Sequence, residues 1–153
     1  GARFSDFASL RYDNVKGPDD LPLFKPPYSH ITAIDMNTGD HLWQLPIGET
    51  PERVLNHPDL QDMDIPTTGT GSNAAMGVTE TVFMYASTAS DGTSMLYFVD
   101  KISGEQLGGI EVEDRTNYGL MNYIHNGKQY IILQTGPKLT AMALYEDTDD
   151  DSY

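Results

Sequence analysis

The chain has 153 residues, with 23 acidic against 9 basic side chains, a formal charge of −14 and no cysteine. That length is one domain, or a portion of a larger one, of about 100–200 residues. The charge disfavours nucleic acid and anionic membranes, and the lack of thiols excludes disulfides, zinc ribbons, iron–sulfur clusters and thiol catalysis.

Residues 1–29 read as an irregular segment. Lys16-Gly17-Pro18-Asp19-Asp20 is a turn cluster, and Pro22, Pro26 and Pro27 forbid regular helix. Leu21, Leu23, Phe24 and Tyr28 are apolar anchors that need a surface to cover. The first residues carry no apolar core of a signal peptide, and no run approaches the roughly 20 apolar residues of a membrane helix. From residue 30 the pattern is β. Ile31–Asp35 and His41–Leu45 flank the turn Asn37-Thr38-Gly39-Asp40 and predict a hairpin. Residues 48–73 predict loop, with Pro51, Pro58 and Pro66, one helical turn near Pro51–Leu55, and a Gly/Thr/Ser tract at Thr67–Ser72. Short strands then recur at Ala75–Val78, Val82–Ser87, Met95–Asp100, Gln106–Val112, Tyr118–Ile124, Tyr130–Thr135 and Leu139–Leu144. Residues 146–153 hold five acids and predict a solvated, disordered tail.

An internal repeat organises these strands. Ala33-Ile34-Asp35-Met36-Asn37-Thr38-Gly39 stands 65 residues ahead of Phe98-Val99-Asp100-Lys101-Ile102-Ser103-Gly104 (33 against 98). In both, a strand ends in Asp, two residues follow, then Thr or Ser and Gly, and a second strand begins. Asp35 and Asp100 suit Asx turns, and Gly39 and Gly104 suit a positive φ at the reversal. Trp43 is expected to be structural, stacking between blades, while the second copy has Gly108 at that position. Thr140–Leu144 is a partial third copy without the turn. Four-strand units repeating at tens of residues are the signature of a β-propeller. The expected strands make half a blade, one whole blade and one blade without its outer strand. A propeller closes with at least about four blades, so the expectation is a partial ring with exposed sheet edges.

The stretch Leu21-Pro22-Leu23-Phe24-Lys25-Pro26-Pro27-Tyr28-Ser29-His30-Ile31, the Ala-x-Asp-x-x-Thr-Gly-x-x-x-Trp frame at 33–43, and Asn126-Gly127-Lys128-Gln129-Tyr130-Ile131-Ile132 occur in that order. Together they resemble the C-terminal part of the quinoprotein (PQQ-dependent) dehydrogenases, nearest to the membrane-bound glucose dehydrogenase type. The resemblance spans about residues 21–145. It implies an all-β fold, two to three four-stranded antiparallel blades of an eight-bladed ring, with pyrroloquinoline quinone (PQQ) near the axis and calcium beside it. It further implies a carboxylate base, hydride transfer from a sugar or alcohol to the quinone, electrons passed on to ubiquinone, and a periplasmic or periplasm-facing location. The family's catalytic and calcium-binding motifs have no match here, so no catalytic residue and no metal ligand is carried over. Gly69-Thr70-Gly71-Ser72-Asn73-Ala74-Ala75-Met76-Gly77-Val78-Thr79 aligns with the family's Gly-Thr-Pro-Asn-Leu-Gly-Gly-Pro-x-Val-Thr stretch near the cofactor. Thr70, Ser72 and Asn73 are the expected cofactor contacts on that ground. The bland alternative is a loop capping a strand with its own side chains.

Other motifs stay bland. Gly69-x-Gly71-x-x-Ala74 lacks the strand–helix context of a dinucleotide fingerprint. Asp59, Asp62 and Asp64 lack the Gly and distal Glu of a calcium loop and predict a solvated acidic loop. His30, His41, His57 and His125 show no metal-ligand spacing, with His30 and His41 expected at the surface. Two function classes follow: part of a dehydrogenase, inactive without the remaining blades, or a non-catalytic propeller used as an interaction scaffold. An independent β-module for binding is a third. The isolated chain is expected to bind no cofactor and to self-associate through its sheet edges.

Overall fold

The computed structural model describes residues 17, 19, 21–114, 116 and 118–143. Residues 1–16 and the acidic tail at 146–153 lie outside the described residues. Among the described residues nine strands form three antiparallel sheets. The first pairs β1 (His30–Ile34) with β2 (His41–Pro46). The second has the order β3 (Ala75–Val78), β4 (Val82–Thr88), β5 (Ser94–Asp100), β6 (Gln106–Glu111). The third has the order β7 (Met121–His125), β8 (Lys128–Thr135), β9 (Lys138–Ala143). Between β2 and β3 lie one helical turn, α1 (Glu52–Leu55), and a 3-10 turn at Pro58–Leu60. This is the all-β, partial propeller that the repeat predicts.

Both faces of the middle sheet are covered, and strand alternation explains how. Phe83 and Tyr85 on β4, with Tyr97 and Val99 on β5, pack against Ile31, Trp43 and Leu45 of the first sheet and against Ile47 just past it. Met84 and Ala86, with Leu96 of β5, turn to the opposite face and meet Ile131, Leu133 and Met142 of the third sheet. The run at β4 is therefore buried at every residue from Phe83 to Ser87, as a strand enclosed on two sides should be. By contrast β6 and β7 are exposed along their whole length.

The repeated turns form as read. The Asp35 carboxylate accepts from Asn37 N–H at 2.7 Å, and that of Asp100 accepts from Ile102 N–H, Ser103 N–H and the Ser103 hydroxyl at 2.9, 2.7 and 3.0 Å. Gly39 and Gly104 have φ of 81° and 75°. Trp43 joins the two copies. Its Nε1–H donates to the Lys101 carbonyl at 3.0 Å, and its ring lies so close to Gly104 that a Cβ there would stand 2.6 Å from Cγ. One blade is thus pinned onto the turn of the next.

Candidate functional site

The loop 67–74 holds the three expected contact residues. It runs between the segment before β1 and the segment after β2, and backbone bonds stitch it to both. Tyr28 N–H donates to the Thr68 carbonyl at 2.8 Å, and Thr70 N–H to the Ile47 carbonyl at 2.9 Å. Gly71 N–H donates to Ser29 Oγ at 3.1 Å, and Thr68 N–H to Thr50 Oγ1 at 3.0 Å. Gly69, with φ of 72°, permits this approach: a Cβ there would stand 2.7 Å from the Ser29 carbonyl oxygen. The Thr70 hydroxyl donates to the Ile47 carbonyl at 3.3 Å and accepts from Ser72 N–H at 3.4 Å. Thr70 and Ser72 are therefore brought together, and Thr70 serves the loop itself. Asn73 is exposed one step further, just before β3.

PQQ is a planar quinone with three carboxylates, and its binding demands cations as well as hydrogen-bond donors. Thr70, Ser72 and Asn73 are neutral. The adjoining cleft of about 210 Å³ is lined by Pro26, Pro27, His30, Gln44, Pro46, Pro66 and Thr67, with no Lys or Arg. The donor set of this loop does not by itself fit the cofactor.

A second cluster was not visible in the sequence. Glu49, just past β2, accepts from Ser90 N–H at 3.0 Å and from the Ser90 hydroxyl at 2.8 Å through Oε2. Its Oε1 accepts from the Tyr97 hydroxyl at 3.3 Å. Tyr97 stacks on Tyr85 at 5.1 Å, Tyr85 on Phe83 at 6.0 Å, and Phe83 stands 6.1 Å from Trp43. This ladder crosses the contact between the first two sheets. Burial pushes the Tyr85 phenol up to about 12, opposed by the Gly48 N–H and assisted by the Glu49 charge. Burial and then Glu49 push Tyr97 up as well. Both phenols stay protonated at neutral pH and act as donors, which makes the cluster a clamp rather than an acid–base pair. A cleft of about 410 Å³ opens beside it, lined by Glu49, Glu52, Ala89, Ser90, Asp91, Thr93 and Met95. A weak signal existed: Tyr85 and Tyr97 fall on facing, same-parity positions of β4 and β5.

His57 is buried and brings its ring near the carboxylates of Asp19 and Asp59, all donor atoms lying within 4.8 Å. Asp59 N–H donates to Nδ1 at 3.3 Å. Nδ1 is therefore the acceptor, and Nε2–H donates to the Asp19 carbonyl at 3.2 Å. Neither nitrogen offers a lone pair to a metal, and His57 caps the 3-10 turn instead. Asp59, Asp62 and Asp64 are exposed, as are His30, His41 and His125, in keeping with the bland readings of the acidic loop and of the strand-flanking histidines.

Blade-on-blade packing through a Trp and an Asp…Gly turn marks a partial β-propeller. Residues 3–131 match the PQQ family described as "Glucose/ethanol/alcohol dehydrogenase, beta-propeller domain", and the chain belongs to that family. No curated protein and no solved structure gives a match. Among the described residues no helix is long and apolar enough to cross a membrane.

Proposed function

We propose that the chain supplies C-terminal blades of a PQQ-dependent sugar or alcohol dehydrogenase of the glucose type, facing the periplasm and passing electrons to ubiquinone. The observation that carries this is the Trp43–Gly104 dock in a chain whose family is oxidoreductase. On this reading the remaining blades supply the carboxylate base, the calcium ligands and the cations that hold PQQ. PQQ would supply the two-electron acceptor. In this chain Thr70 holds the backbone of the 67–74 loop in place. The chain alone then lacks the oriented groups that catalysis needs. Dye reduction with added PQQ, calcium and glucose or ethanol should not exceed the protein-free rate, and turnover that scales with this chain would overturn the reading.

A non-catalytic scaffold is the second reading. It is favoured by the loop 67–74, whose hydrogen bonds close on its own neighbours rather than pointing at a ligand. The coding sequence on either side separates the two. A carboxylate base and an aromatic platform for the quinone in other blades support the dehydrogenase, and a ring without them supports the scaffold.

A further inference from the structure

We draw no further inference here: the strongest candidate, the apolar cleft of about 350 Å³ between residues 21–28 and 54–66 where Leu23, Phe24 and Met63 stand exposed, carries nothing, because nothing in the structure shows what covers it.

Discussion

At the scale of single residues, Trp43 carries more than its own strand. Its ring closes over Gly104 and its Nε1–H satisfies the Lys101 carbonyl, so it couples two sheets that share no backbone ladder. Trp43→Ala removes both terms and should cost about 2–4 kcal/mol. Trp43→Phe keeps an aromatic cover and loses the hydrogen bond, about 1 kcal/mol. Urea midpoints measure both, and equal midpoints for W43A and the wild type would show that the ring holds nothing. The buried tyrosines give a pH signature. Burial raises the Tyr85 phenol from its ordinary 10.0 to about 12. Below pH 10 the folded and unfolded states both keep that proton, and the contribution is intact. Between about 10 and 12 the unfolded chain releases it and the folded chain does not, so stability falls as pH rises. Tyr97 shifts in the same direction and adds to the fall. Asp91 and Asp100 act at the other extreme. Hydrogen bonds from Thr93 and from Ser103 hold their carboxyls below the ordinary 3.8, so their contribution disappears as pH drops below that value. A urea series from pH 8 to 12 should show the alkaline loss, and Tyr85→Phe should flatten it. A variant with the same alkaline slope as the wild type would assign the loss to other groups.

At the scale of elements, the two repeated turns share a backbone but not an environment. Gly39 has nothing within 4 Å of a built Cβ, whereas Gly104 faces the Trp43 ring. Gly39→Ala should therefore cost only the left-handed strain, about 1–2 kcal/mol. Gly104→Ala should cost that and the displaced indole, and so lower the urea midpoint clearly further. Equal losses would mean that Trp43 moves aside freely. The turns were legible because Asp, Thr or Ser, and Gly at fixed offsets are a local code. The strands were legible because alternation and turn residues bound them: β3 falls at Ala75–Val78 as read, and β8 starts two residues before its expected Tyr130. The expected Tyr118 start of β7 was early: the strand begins at Met121, and Thr116 instead uses its hydroxyl to hold Tyr118 N–H at 3.2 Å. The loop clusters were illegible for a different reason. Glu49 stands 41 and 48 residues before Ser90 and Tyr97, and no local pattern brings a carboxylate from the segment after β2 to the β4–β5 turn and a phenol on β5. His57 likewise reads as an ordinary loop histidine until its ring is seen capping Asp59 N–H.

At the scale of the whole molecule, protection should be graded by how many neighbours a sheet has. The middle sheet has one on each face, and its strands β4 and β5 carry the core of both clusters. The outer sheets are covered on one face each, and β7 is exposed along its length. Opening free energy follows buried apolar contact rather than hydrogen-bond count, although all three sheets are laddered. Amide hydrogen exchange in dilute solution should therefore be slowest in β4 and β5, faster in β8, and fastest in β6 and β7. Uniform exchange across the nine strands would mean that the three sheets open as one unit and that the Trp43 dock and its counterpart across the other face are stronger than either sheet alone.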